Sequence, residues 1–367
     1  MAILEIVVVT ILSLMLLYIG AVCAQYFRII EYEVIQNGID RKNGVLWVVS
    51  MFSCLIAIVL YIIFPEIWWI DGFVLIVILQ ISIVIYWKQT WYITFLNFLV
   101  FVATLVGMMY FIFLRGFNND KDSMLSSIDD SDKSIISFSS LITYPVAVQK
   151  WLNQSGIIGK TKIKSVHMSQ NYKLKLKVED KEYSDATAEQ YSITNPPAFL
   201  WRLEMRMMSF LRVFGKDKYQ DGKGSMVISL LGLLKIVNEN GHVKLNEGTL
   251  QRYLGELIWY PSLALSPLIQ WEHIDNRTVN ATISYKDTTA TGTFRFDENG
   301  NLIEFRTMRF KDTSNDSQRI PWFVEIDEFG TFDGIRIPIK CKATWTLDSG
   351  NWTWSHIHVN SAMYSFN

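Results

Sequence analysis

The sequence predicts a four-helix transmembrane bundle followed by an α+β domain built on a curved antiparallel sheet, an unclosed half-barrel with capping helices. Three observations predict it. Four long apolar runs crowd the N-terminal third, an Asn/Asp/Ser-rich stretch follows them, and period-2 alternation dominates the remainder. Before Arg115 only ten residues are charged, six acidic and four basic, although the 367-residue chain as a whole is ordinary in its 19% charged content. The segment beyond is long enough to bury a core of its own. A net charge of −1 without a basic tract excludes nucleic acid as an expected partner.

The apolar spans run over about 6–24, 45–64, 70–87 and 91–114, each long enough to cross a hydrocarbon layer of about 30 Å at 1.5 Å per residue. The first is no signal peptide by pattern: no Lys or Arg precedes it, Glu5 does, and it exceeds an h-region in length. Gly20-Ala21-Val22-Cys23 places Val22 where a lipoprotein cleavage site needs a small residue, so Cys23 reads as packing. Arg28, Arg41 and Lys42 in the first loop and Lys88 in the third put those loops in the cytoplasm. Both termini and the C-terminal domain are then extracytoplasmic, in the cell membrane; Arg115 and Lys121 count against this. Trp47, Trp68, Trp69, Trp87 and Trp91 fall at span ends, where amphipathic indoles are stabilised. Gln80 and Asn97 are polar within spans, and helix packing accounts for them better than a transport path does.

Residues 116–140 read as an exposed tether. Asp129, Asp130 and Asp132 lack the Gly and Glu offsets of a calcium loop. The soluble domain then covers 141–367. Leu141, Val148, Trp151 and Leu152 outline a short amphipathic helix ended by Gly156. Leu174, Leu176 and Val178 alternate with Lys173, Lys175 and Lys177, and strand-like runs follow at Tyr183–Thr194, Phe199–Met208, Met226–Leu234, Thr278–Tyr285 and Thr291–Phe296. Others are Leu302–Lys311, Phe323–Phe332, Lys340–Leu347 and Trp352–Met363, with hairpin turns expected at 297–300 and 333–334. One helix, Glu247–Trp259, interrupts the meander.

That helix carries the best site candidate. Leu250, Leu254, Leu257 and Ile258 cluster on one side, with Arg252, Glu256 and Trp259 within about 60° of each other on the opposite side at 100° per residue. An Arg–Glu pair at i,i+4 is ordinarily a surface pair, but an indole on the same stripe calls for a cover or a ligand. Tyr260 and Pro261 are expected at the rim of any cavity there. On the last strand Trp352, Trp354, His356 and His358 share one face by alternation, and an aromatic inner face with Trp345 and Trp322 explains them better than a metal site does. The ligand-contact set is thus Arg252, Glu256, Trp259, Tyr260, Trp345 and Trp354. No catalytic residue, metal or cofactor is expected: Cys23, Cys54 and Cys341 have no ligand spacing, and Gly222-Lys223-Gly224-Ser225 lacks a phosphate loop's Lys-Ser/Thr and helix.

Ala188-Glu189-Gln190, Asn195-Pro196-Pro197-Ala198-Phe199-Leu200-Trp201, Tyr219-x-Asp-Gly-x-Gly and Arg252-Tyr253-Leu254-x-Glu256-x-x-Trp259-x-Pro261 together resemble an uncharacterised bacterial family. Trp271-Glu272, Phe296-Asp297-x-x-Gly300, Pro321-Trp322, Gly334-x-x-Ile337-Pro338 and Trp345 extend the resemblance over residues 141–364. Its domain is similar to the lipoprotein-carrier (Lol-type) fold, which implies an apolar cavity and a hydrophobic or lipid ligand. The expected function is a membrane-anchored extracytoplasmic module binding a lipid or other hydrophobic ligand in its half-barrel, with membrane lipids as partners and an envelope protein as a further candidate. Two alternatives stay open. One is an envelope hydrolase centred on Arg252 and Glu256 with a third polar group such as His273; the other is a structural or sensory protein with a protein-binding β-domain.

Overall fold

Long apolar runs close their backbone hydrogen bonds internally, and in the computed structural model they form α1 (Ala2–Tyr26), α2 (Arg41–Ile63), α3 (Trp69–Ile85), α4 (Trp87–Thr90) and α5 (Ile93–Ser126). The structure describes residues 2–31, 33–35, 39–129, 131–207 and 211–366. They make two compact units, one built mainly on Met1–Gly116 and the other on Phe117–Met207, Arg212–Leu230 and Leu234–Asn367. Among the described residues three helices, rather than the four expected, meet the length and apolarity of a full membrane span: α1, α2 and α5. The expected third span is α3, apolar but 17 residues long. At 1.5 Å per residue it reaches about 25 Å, at the lower limit for crossing a hydrocarbon layer. Leu17, Ile62 and Phe95 stand exposed on the long helices, which a lipid surround would accommodate. Asn97 Nδ2 donates to Gln80 Oε1 at 2.9 Å and to Ile76 O at 3.2 Å, a packing contact between α5 and α3.

The expected tether is not all tether. Helix α5 continues to Ser126, and its last turns dock on the outer face of the β-domain, where Asp120 takes Lys216 at 2.6 Å and Lys218 at 2.8 Å. Phe117 packs there against Tyr191 and beneath the Arg202 guanidinium. Asp132 accepts from Lys162 at 2.6 Å, while Asp130, also expected in the linker, lies outside the described residues.

After α6 (Val146–Gln154) the chain forms thirteen antiparallel strands among the described residues. They are β1 (Ile163–Leu174), β2 (Ser184–Ile193), β3 (Ala198–Arg206), β4 (Arg212–Gln220), β5 (Lys223–Leu230), β6 (Leu234–Asn240) and β7 (Ile269–Asp275). The second run is β8 (Thr278–Tyr285), β9 (Thr288–Phe296), β10 (Leu302–Phe310), β11 (Arg319–Phe332), β12 (Ile335–Leu347) and β13 (Gly350–Phe366). Met208, expected to end the third strand, lies outside the described residues. The sheet order is β6-β5-β4-β3-β2-β1-β13-β12-β11-β10-β9-β8-β7. The meander is closed in the middle by β1 against β13, and β6 and β7 are left as edges, so the barrel is open.

That order fixes where the interior helix goes. The chain between the two edge strands holds α7 (Val243–Glu256), so this connection must run from one edge of the sheet to the other. Helix α7 touches β4 and β5 on one side and β8, β9 and β10 on the other, which requires the sheet to curve round it. It begins earlier than expected, capped by His242 Nδ1 accepting from Lys244 N at 3.2 Å. It also ends earlier, giving way to 3-10 turns at Leu257–Trp259 and Pro261–Leu265. Leu250, Tyr253, Leu254 and Leu257 fill the centre of the core with Phe199, Tyr219, Phe294 and Phe305. Close approach depends on two glycines: Gly255 on α7 and Gly292 on β9 leave the space that the Phe305 ring occupies.

Candidate functional site

Alternation across paired strands places side chains on the concave face in rows. Gln190, Trp201 and Asp217 are register neighbours on β2, β3 and β4. Arg252, from the helix above, completes this row as an ion network. Its Nη1 donates to Asp217 Oδ2 at 2.9 Å, its Nε to Glu256 Oε1 at 2.6 Å, and its Nη2 to Gln190 Oε1 at 3.3 Å. Gln190 Nε2 returns a bond to Glu256 Oε2 at 2.6 Å. The guanidinium also lies 4.8 Å from the ring centroids of both Phe199 and Trp201. Burial disfavours the Arg252 charge, but Glu256 and Asp217 more than offset it and hold the group protonated. Burial pushes the Asp217 carboxyl up against the pull of Arg252.

Trp259 and Tyr260 lie elsewhere than the stripe implied. Both are within the core, Trp259 Nε1 donating to Pro338 O at 3.1 Å and the Tyr260 hydroxyl to Tyr253 O at 3.3 Å. The helix ends at Glu256, so the 100° spacing does not carry to Trp259. His273 is exposed on β7, apart from Arg252 and Glu256. The polar groups beside that pair are Asp217 and Gln190.

A second row crosses β11, β12 and β13, where Trp322 pairs with Trp345 and Trp345 with Trp352. Trp354 is the extra residue of a β-bulge between Thr353 and Ser355, and this bulge overturns the expected alternation. Beyond it His356 faces Lys342 and His358 faces Lys340, on the opposite face from Trp352. Among the described residues no three metal-ligating side chains converge. Trp354 packs between the main core and the smaller cluster of Tyr172, Leu203 and Met205.

Beside the indoles stands a cation that the sequence reading missed. Arg309 shares the inward phase of β10 with Phe305 and Thr307, and its guanidinium lies 5.0 Å from the Trp322 centroid and 6.0 Å from that of Trp345. Its Nε is buried without a hydrogen-bond partner, and among the described residues it forms no ion pair. Burial, and then the Arg252 charge, push its pKa down to about 10, so it stays cationic at neutral pH. Lys311 follows with its ammonium 4.9 Å from the Trp352 centroid. The Nε1 donors of Trp201, Trp322, Trp352 and Trp354 are buried and unpartnered. The Arg309 signal was available as an arginine in the inward phase of an apolar strand. Asp217 was not visible because β4, Arg-Val-Phe-Gly-Lys-Asp-Lys-Tyr-Gln, is too polar to read as a strand.

Nearby, β10 leaves β9 after the Arg306–Thr293 pair, and Gln251 Nε2 takes the freed Met308 carbonyl at 2.9 Å. A groove of about 520 Å³ opens there, lined by Glu247, Gln251, Asn280, Thr291, Arg306 and Arg319 among others.

A family model described as a family of unknown function (DUF6920) matches residues 143–364, which is more than half of the chain. The chain belongs to this family. The match spans nearly the same residues as the resemblance read from the motifs. A LolA superfamily protein of Nitrosomonas europaea is similar at 11% identity, with 64% of this chain and 96% of that one covered and a TM-score of 0.28. A beta-barrel-like protein of a domain of unknown function (DUF1849) from Brucella abortus is similar at 10% identity, covering 56% and 99% of the two chains, with a TM-score of 0.20. No curated protein matches the chain.

Proposed function

We propose that this family member is a membrane-anchored, extracytoplasmic module that holds a lipid or lipid-like molecule on the concave face of its open sheet. The observation that carries the reading is the Trp322–Trp345–Trp352 row, with Trp354 beside it. Indoles aligned on an inward face, Trp322 and Trp345 buried in the core and Trp352 and Trp354 half-buried, form an apolar wall in which the Nε1 donors of Trp322, Trp352 and Trp354 lack acceptors. A lipid supplies both. The apolar N-terminal helices support membrane anchoring, and the positive-inside count favours the outward orientation with α3 crossing as a fourth, short span. Within this reading Trp345 and Trp354 contact the ligand, while Arg252 and Glu256 form its polar boundary. Trp259 and Tyr260 act from behind, by fixing the turn that follows α7.

The test is extraction of bound species from the full chain after purification in a mild detergent, followed by mass spectrometry. A lipid retained by wild type and depleted in the Trp345→Ala, Trp354→Ala double variant is expected. Equal lipid in both, or none in either, overturns the reading.

A further inference from the structure

Two cations sit on one concave face in opposite circumstances. Arg252 has Asp217, Glu256 and Gln190 around it, whereas Arg309 has indole faces and no acceptor for its Nε. A buried Nε without an acceptor is costly, and the five fixed N–H donors of this half-buried guanidinium match carboxylate and phosphate oxygens. Trp322, which it faces, and the indoles farther along the row add more donors. The buried Nε1 atoms of Trp322, Trp352 and Trp354 can donate and cannot accept. Lys311 brings a second positive charge over Trp352. On the helix side stands Gly248, where a Cβ would come 3.4 Å from the Arg309 Nε, so the residue of α7 facing that atom supplies no acceptor.

We propose that Arg309, with Lys311 and the indole N–H groups, recognises the anionic head of the bound lipid, making the ligand an acidic amphiphile. This rests on the reading of the concave face as a lipid site and deepens it. The preference has a physical source. A phosphate or carboxylate monoanion fills the acceptor deficit and neutralises Arg309. A phosphocholine head brings its own quaternary cation into a face that already carries Arg309 and Lys311, so its phosphate is partly spent within its own head.

The experiment uses the full chain in neutral maltoside micelles with photoreactive acyl-chain phosphatidylglycerol or phosphatidylcholine, followed by mass-spectrometric mapping of adducts in the β-domain. Phosphatidylglycerol is expected to label peptides of β10–β13 about tenfold more efficiently, the size of one charge-assisted contact. Arg309→Gln should remove that preference and leave phosphatidylcholine labelling unchanged. Arg309→Lys keeps the charge and should retain part of the preference, which a purely structural role for the arginine would not produce. Equal labelling by the two lipids in wild type, or a full preference surviving in Arg309→Gln, overturns the anionic head while the lipid site stands. Absence of β-domain adducts with either lipid overturns the lipid site and this inference with it.

Discussion

The two halves of the concave face solve the same physical problem in opposite ways. Under α7, an arginine is surrounded by two carboxylates and an amide, and Tyr253 beside it reaches Ile193 O at 2.8 Å, although the Trp201 Nε1 and the Tyr219 hydroxyl there have no partner. Beside the indole row, the Nε of Arg309 and three indole Nε1 donors are buried without acceptors, and the charge has no ion-pair partner among the described residues. Folding alone demands satisfied polar groups, because an unpartnered buried donor costs about 1–3 kcal/mol. The first half therefore reads as architecture. The second carries a deficit that a ligand removes. Arg252, which drew attention from the sequence, belongs to the first half; Arg309, which did not, belongs to the second.

The sharpest way to break this contrast is to remove the cation from the satisfied half. Arg252→Met leaves Asp217 and Glu256 facing each other in the interior and is expected to lower stability by about 3–5 kcal/mol. Chemical denaturation followed by indole fluorescence measures it. A loss below about 1 kcal/mol would mean that the network is dispensable to the fold. Next in size is Gly255→Ala, whose Cβ would meet the Phe305 ring at 2.6 Å. Overpacking there should cost about 1–3 kcal/mol, and α7 must retreat from the sheet to admit it. Gly248→Ala on the same helix meets Arg309 at 3.4 Å, an ordinary contact, and serves as the matched control.

Arg309→Gln sharpens the comparison from the other side. It removes a cation that has no partner to strand, so stability should stay within about 1 kcal/mol of wild type, the size of the lost cation–aromatic contacts. The same denaturation measurement checks it. A loss as large as that of Arg252→Met would erase the distinction between the two arginines.

The legibility of the chain follows the same division between local and non-local causes. Strands with clean alternation were readable: Thr278–Tyr285 was placed to the residue, and Tyr183–Thr194 came within one residue at each end. The sheet's open form and its interior helix were also foreseeable from the meander and the resemblance. The alternation of Leu174, Leu176 and Val178 misleads: β1 ends at Leu174, Leu176 and Val178 stand exposed beyond it, and most of β1 carries no such signal. Strands β4, β6 and β7 carry none either, because their burial is partial or their residues polar, so that pairing in the sheet and not local pattern holds them. The bulge at Trp354 could not be anticipated, since one unpaired residue reverses every later side chain without a mark in the sequence. The helical turns beyond Gly116 were hidden for a related reason. Asn118, Asn119 and Asp120 read as linker, and Asp120 is helical because Lys216 and Lys218, nearly a hundred residues on, hold it.

The smallest effect belongs to the outer face, and it tests whether ionic pairs matter to this fold by burial or by number. Glu189 accepts from Arg202 at 2.9 Å and from the Tyr191 hydroxyl at 2.8 Å, and its Oε1 lies 2.9 Å from His167 Nε2. The His167 contact, then those of Tyr191 and Arg202, lower its pKa to about 2 from an ordinary 4.5. A depressed carboxylate contributes stability that is complete above its unfolded value and lost as pH falls towards the folded one. Acidification from pH 5 to about pH 2 should therefore cost wild type more than Glu189→Gln. At neutral pH that variant should lose only about 0.2–1 kcal/mol, because water reaches this pair. If Glu189→Gln instead matched Arg252→Met, solvent exposure would not be what separates the two networks, and the argument from burial to architecture would fail with it.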